Sequence, residues 1–254
     1  MSSTSAKYTT CLLDMDGVLA EVSKSYRAAI EATCHHYGAK SVTQNTISDW
    51  KARGGCNNDW KLSLDLIMES TDGKKEGLTL EAVTETFEKF YQGDGSTPGF
   101  CDTETLIPSK ETMEELAKRS TGGKFGIVTG RPKSDCDKFL KLHNLDHLVK
   151  ASVCMEDGPP KPDPFPVKKC CELLGVEPSA GVILVGDTPD DIRAAVAAGC
   201  RGVGVATPEA VAAAAAKGEP FDSSILCKAM KECGADVVLP PGFADLVDMF
   251  PAPN

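Results

Sequence analysis

The chain has 254 residues, 41% of them hydrophobic and 25% charged, ordinary for a soluble globular protein with one large core or two smaller ones. A formal net charge of -10 offers no general footprint for nucleic acid, and an acidic body that handles anions needs a metal or local cations. No apolar run is long enough to span a bilayer, the polar start lacks the order of a signal peptide, and the 11 cysteines form no CxxC pair, so a cytoplasmic chain with reduced thiols and no membrane association is expected.

Residues 1–8 read as a loose tail. Cys11, Leu12 and Leu13 then form a short apolar run, expected to be a strand buried on both faces, which stops at Asp14-Met15-Asp16-Gly17. Ligands of open α/β sheets bind beyond the carboxyl ends of the strands, so Asp14 and Asp16 are expected on the floor of that crevice, with Gly17 allowing a sharp turn. Partly buried like charges repel unless a cation or a transferring group uses them. Taken alone, the same four residues read equally well as a solvated turn between a strand and a helix.

Helices are expected over 23–37, where Tyr26, Ala29, Ile30 and Thr33 keep helical spacing, and over 43–51, 57–69 and 80–91, with no convincing strand among them. So much helix between the first strand and the next predicts a helical module inserted after the first strand, with its exit at the Gly/Ser/Thr/Pro-rich stretch 93–99. After Pro108 the pattern alternates: helix 110–119, strand 125–128, helix 133–142, strand 148–153, helix 164–174, strand 182–185, helix 190–198 and strand 202–205. Such a βαβ series implies a parallel sheet covered by helices on both faces. An alanine-rich surface helix at 210–217, an edge strand at Val237-Val238 and a short helix over 243–249 complete the chain, which has no internal repeat.

Three later strand ends carry residue types that phosphoryl transfer needs. Thr129-Gly130-Arg131-Pro132 offers a hydroxyl and a turn whose N–H groups could bind phosphate oxygens. Gly158-Pro159-Pro160-Lys161-Pro162-Asp163-Pro164 holds a lysine in a stiff loop, and Gly186-Asp187-Thr188-Pro189-Asp190-Asp191 sets a second acidic cluster beyond an apolar strand. Singly, Thr129 could be an ordinary turn residue, Lys161 a solvated charge and Asp190 a helix N-terminal acid. Their succession at consecutive strand ends points to one site.

Asp14-Met15-Asp16-Gly17, Thr129-Gly130-Arg131, Lys161-Pro162-Asp163 and Gly186-Asp187 followed by Asp191 resemble the four motifs of the haloacid dehalogenase superfamily, over about residues 9–206. The inserted helices are similar to the type-1 cap that follows the first motif. The resemblance implies an α/β fold: a doubly wound, Rossmann-like parallel-sheet core formed by 1–20 and 106–254, and an all-helical cap domain at 21–105. It also implies Asp14 as nucleophile, Asp16 as general acid and base, and Mg²⁺ bridging Asp14, the Asp16 carbonyl oxygen and Asp187. Thr129 and Lys161 would hold the transferring oxygens, Gly130 and Arg131 would contact substrate, and Asp191 would orient Lys161 or a metal-bound water from behind. An acid at Asp16 is not expected in the dehalogenase branch, which favours phosphate esters.

The implied activity is Mg²⁺-dependent hydrolysis of a small phosphorylated metabolite. A phosphomutase of the β-phosphoglucomutase kind would share every one of these residues and need added bisphosphate, and a non-catalytic binding protein on the same fold is a third reading. Substrate choice should reside in the cap. There Arg53, Asn57 and Asn58, in the stretch from Lys51 to Trp60, could contact a second anionic or polar group, or could simply form a helix-to-helix turn with an asparagine N-cap. His143 and His147 are read as part of a loop rather than a metal pair, and Cys170-Cys171 as core packing.

Overall fold

The computed structural model describes residues 7–252. Within them the chain passes through β1 (Thr10–Leu13), β2 (Ala20–Glu21), α1 (Tyr26–His36), α2 (Gln44–Arg53), α3 (Asp59–Ser70), α4 (Leu80–Gln92) and β3 (Thr105–Leu106). It then alternates through α5 (Lys110–Arg119), β4 (Phe125–Val128), α6 (Lys133–Leu142), β5 (Val149–Val153), α7 (Phe165–Leu174), β6 (Val182–Gly186), α8 (Pro189–Ala197) and β7 (Arg201–Val205). Two further helices, α9 (Pro208–Ala216) and α10 (Ile225–Glu232), precede β8 (Val238–Leu239) and a 3₁₀ segment, Ala244–Met249. The chain forms two compact units: one from the residues up to Ala20 and those from Leu106 onward, the other from Glu21–Thr105.

In the first unit six parallel strands lie in the order β5-β4-β1-β6-β7-β8. Every residue of β1, β4 and β6 is buried, because helices cover both faces of a parallel sheet. Their sequences are therefore unbroken apolar runs rather than alternating ones. Leu12 pairs in register with Gly126 on one side and Leu184 on the other, and it shares a core with Val128, Val167, Cys170 and Ala194. The chain winds outward from β1 to β4 and β5, then returns to place β6 on the opposite side of β1. Adjacent strands whose connections leave in opposite directions open a crevice at their carboxyl ends. That crevice begins at Asp14.

The second unit contains α1–α4. Helical spacing puts Tyr26, Ala29, Ile30 and Thr33 on one buried face of α1, where the Tyr26 ring meets those of Tyr91 at 4.2 Å and Phe87 at 5.9 Å from α4.

Four expectations need correction. The predicted tail over 1–8 falls partly outside the described residues, but Tyr8 is fully buried; its N–H and that of Lys7 donate to the Met249 carbonyl oxygen at 3.1 and 2.9 Å. Its ring packs 5.9 Å from that of Phe250 and its hydroxyl donates to Asp236 at 3.0 Å. Strands β2 and β3, which pair as a second small sheet, are two residues each and too short to show a period. Helix α10 is unforeseen, and the edge strand is Val238–Leu239 rather than Val237-Val238. All eleven cysteines lie among the described residues and none forms a disulfide. Among the described residues no helix is long and apolar enough to cross a membrane.

Candidate active site

The parallel sheet delivers three polar residues to the carboxyl ends of its strands. Asp14 follows β1 and extends its ladder by donating its N–H to the Val185 carbonyl of β6 at 2.9 Å; Thr129 follows β4 and donates to the Val153 carbonyl of β5 at 3.0 Å; Asp187 follows Gly186, the last residue of β6. All three are buried. The segment after Asp14 turns on Gly17, whose φ of +71° belongs to the left-handed region, and the Gly17 N–H donates to the Ala20 carbonyl at 2.9 Å.

Lys161 joins the carboxylates. Its ammonium lies 2.6 Å from Asp191 Oδ1 and 3.0 Å from Asp14 Oδ2, and it donates to the Val128 carbonyl at 3.1 Å. With only 3% of the residue exposed, the reading of Lys161 as a solvated surface charge is excluded. The Lys161-Pro162 peptide bond is cis. Asp191 is held from its other oxygen: Oδ2 accepts from the Thr188 N–H at 3.0 Å and from its hydroxyl at 2.6 Å, closing a capping box at the start of α8. Both oxygens of Asp191 are thus engaged, one in anchoring Lys161.

The charges do not balance. Asp14, Asp187 and Asp191 each bring a carboxylate oxygen within 4.8 Å of the other two, and Lys161 offsets only part of that charge. Burial pushes the Asp14 carboxyl up to about 7; Lys161 opposes the shift, while Asp191 and Asp16 add to it. Burial pulls Lys161 down, but Asp14 and Asp191 outweigh it and hold the ammonium above its ordinary value. A buried, all-oxygen cluster with surplus negative charge fits a hard divalent cation, which would be held by Asp14, Asp187 and a main-chain carbonyl. Gly17 makes room for this arrangement, since a Cβ there would stand 2.3 Å from Asp187 Oδ2.

The Arg131 Nε donates to Asp16 Oδ1 at 2.7 Å. Arg131 is also fixed through its backbone: its N–H donates to the Thr129 hydroxyl at 3.1 Å and its carbonyl accepts from Met155 at 3.0 Å. Gly130 lies in the turn between Thr129 and Arg131.

A family model described as haloacid dehalogenase-like hydrolase matches residues 11–205. The chain belongs to the haloacid dehalogenase-like hydrolase family. It is 44% identical over 241 residues to an imidazoleglycerol-phosphate dehydratase of Phytophthora nicotianae, a match covering 95% of this chain and 52% of that protein, so the chain spans about half its length. A phosphoglycolate phosphatase of Pasteurella multocida is 33% identical over 196 residues, 76% of this chain and 83% of the relative. Among solved structures, a phosphonoacetaldehyde hydrolase-like protein from Oleispira antarctica superposes with a TM-score of 0.71 at 20% identity, over 95% of this chain and 93% of that one, which shows the shared fold.

The fold therefore assembles Asp14, Asp16, Thr129, Gly130, Arg131, Lys161, Asp187 and Asp191 of the haloacid dehalogenase-like motifs around the carboxyl end of the sheet, although they come from distant parts of the chain. The remaining candidates belong to the helical unit. Arg53 ends α2 with its guanidinium 5.1 Å from the Trp50 ring, and Asn58 is the N-cap of α3, accepting from the Lys61 N–H at 2.9 Å. Asn57 precedes it. Lys51 pairs with Asp59 at 3.0 Å, and Trp60 donates to Glu88 at 2.9 Å.

Gly186 and Thr188 stand in the motif stretch that the sequence singles out, but without roles of their own. A Cβ on Gly186 would stand 2.2 Å from Asp191 Cβ, and Thr188 supplies the two donors that fix Asp191. Thr188-Pro189-Asp190-Asp191 carried a readable signal, a hydroxyl three residues before an acid at a helix start.

Proposed function

We propose that the chain is a Mg²⁺-dependent phosphatase that hydrolyses the phosphate monoester of a small metabolite, with Asp14 as nucleophile. The observation that carries this reading is Lys161, buried between Asp14 beyond β1 and Asp191 in the first turn of α8, at 3.0 and 2.6 Å. Family membership and the phosphoglycolate phosphatase relative support the reaction class.

In the first half-reaction an Asp14 oxygen bonds to phosphorus while the bond from phosphorus to the ester oxygen breaks, and that oxygen takes a proton from Asp16. In the second, water bonds to phosphorus and gives its proton to Asp16 as the bond to Asp14 breaks. Orthophosphate leaves and both carboxyl groups return to their starting forms. Lys161 and the Thr129 hydroxyl hold the transferring oxygens and offset their charge, which is the larger part of catalysis in phosphoryl transfer. Thr129 already accepts from the Arg131 N–H at 3.1 Å, so its own hydrogen remains to be donated. Asp191 keeps Lys161 in place. Mg²⁺, when bound by Asp14, the Asp16 carbonyl and Asp187, supplies neutralising charge at the phosphate.

Residues 21–105 serve as the cap in this reading, with Arg53, Asn57 and Asn58 selecting the part of the substrate beyond the phosphate. A reducing, cytoplasmic setting accords with eleven cysteines and no disulfide. The names of the Pasteurella and Phytophthora relatives make 2-phosphoglycolate and imidazoleglycerol phosphate the first esters to try. The test is phosphate release from a library of phosphorylated metabolites with and without Mg²⁺. Release that needs Mg²⁺ is expected. Turnover only with added bisphosphate would point to the mutase, and silence from a folded protein to a binding role.

A further inference from the structure

The motif position of Arg131 suggests a phosphate ligand, but its surroundings suggest another task. Its side chain is only 1% exposed, with the guanidinium carbon 5.3 Å from the centre of the Phe139 ring in α6 and Nε 2.7 Å from Asp16 Oδ1. The backbone on both sides is pinned, to the Thr129 hydroxyl and to the Met155 N–H. A planar guanidinium clamped against an aromatic face has little freedom of direction, and its Nε points at Asp16. Asp16, in contrast, keeps 25% of its side chain exposed and sits between a carboxylate two residues before it and a glycine after it. Left alone, such a carboxylate would rotate among staggered conformers and be repelled by Asp14.

We infer that Arg131 is a positioning residue for Asp16. By holding Oδ1 it fixes the plane of the carboxyl group and leaves Oδ2 as the atom that exchanges the proton with the departing and attacking oxygens. Its contact is with the proton-transfer group and not with the phosphate. This inference rests on the phosphatase reading above, and it makes the pair Arg131–Asp16 matter in proportion to how badly the leaving group needs a proton.

The experiment compares wild type, Arg131→Met, Arg131→Lys and Asp14→Asn on p-nitrophenyl phosphate, phenyl phosphate and a simple alkyl phosphate, all at saturating Mg²⁺. p-Nitrophenolate leaves without protonation, whereas an alkoxide does not. Arg131→Met should lose about a hundredfold in kcat on the alkyl ester but only a few-fold on p-nitrophenyl phosphate, with KM little changed throughout, since positioned proton transfer contributes about that much. Arg131→Lys should recover part of the loss on the alkyl ester by restoring a cation. A merely structural role would lower kcat equally on all three esters and track the melting temperature of each variant, and a phosphate-binding role would raise KM equally on all three. Either result overturns the inference while the phosphatase reading stands. If wild type turns over none of the esters, or Asp14→Asn turns them over as well as wild type, the phosphatase reading itself fails and takes the inference with it.

Discussion

Gly17 and Asp187 share a space that admits no side chain at residue 17: a Cβ there would stand 2.3 Å from Asp187 Oδ2, and the φ of +71° would strain it further. Residues 170 positions apart in the chain are thus fitted to each other at the site. Gly17→Ala should cost about 1–2 kcal/mol from backbone strain alone, read by urea denaturation. Because Asp187 must move, divalent-cation affinity measured by calorimetry should fall about tenfold or more. Unchanged Mg²⁺ affinity would remove Asp187 from the cation's ligands.

Lys161 pairs with both Asp14 and Asp191, at 3.0 and 2.6 Å, and all three are buried. Removing one member of a buried ionic cluster leaves its partners uncompensated, so Lys161→Met should destabilise the metal-free protein by about 3–5 kcal/mol and abolish phosphate release. A double variant, Lys161→Met with Asp191→Asn, should recover part of the stability and none of the activity. Equal stability of the single and double variants would show that the two charges are not coupled.

Asp236 gathers the Tyr8 hydroxyl at 3.0 Å, Lys7 at 3.0 Å and Arg201 at 2.9 Å, tying the start of the described chain to the first residue of β7 and the approach to β8. Burial raises its carboxyl pKa, but the hydrogen bonds from Arg201, Lys7 and Tyr8 outweigh this and hold it below its ordinary value of 3.8. A depressed carboxyl pKa stabilises the folded state fully above the unfolded pKa, and the benefit is lost as pH falls through the lower, folded pKa. Asp236→Asn should therefore cost about 1–2 kcal/mol at neutral pH. The difference from wild type should shrink only below the ordinary carboxylate range, as followed by denaturant melts at several pH values.

In the helical unit two variants separate architecture from recognition. Asn58 caps α3 by accepting from the Lys61 N–H at 2.9 Å, so Asn58→Ala should lose about 1 kcal/mol of stability. Arg53→Ala should raise KM for the true substrate and leave kcat nearly intact. An unchanged KM would confine Arg53 to its stack on Trp50.

What could be read from the sequence follows from how locally each feature is encoded. Strands β1, β4 and β6 announced themselves because burial on both faces forces an apolar run, and the polar residues placed just beyond them marked the site. Helix α10 went unseen because its apolar residues, Leu226, Cys227 and Met230, are few and follow a loop rich in glycine, proline and serine. Tyr8 looked like part of a tail because a backbone contact with Met249, some 240 residues away, leaves no local period. The same limit hid the Arg131–Asp16 pair, separated by 115 positions. Lysine is ordinarily a surface residue, so the burial of Lys161 could be reached only through the motif order and not from its neighbours.

The central claim is that Asp14 carries the phosphoryl group. The direct measurement is rapid acid quench of the Mg²⁺-loaded enzyme during turnover of the best ester from the library, followed by mass spectrometry of the peptide that contains Asp14. The account predicts a transient phosphoryl adduct on Asp14, absent from Asp14→Asn, that forms and decays fast enough to support kcat. Steady turnover with no adduct at any quench time, or an adduct on another residue, would contradict it.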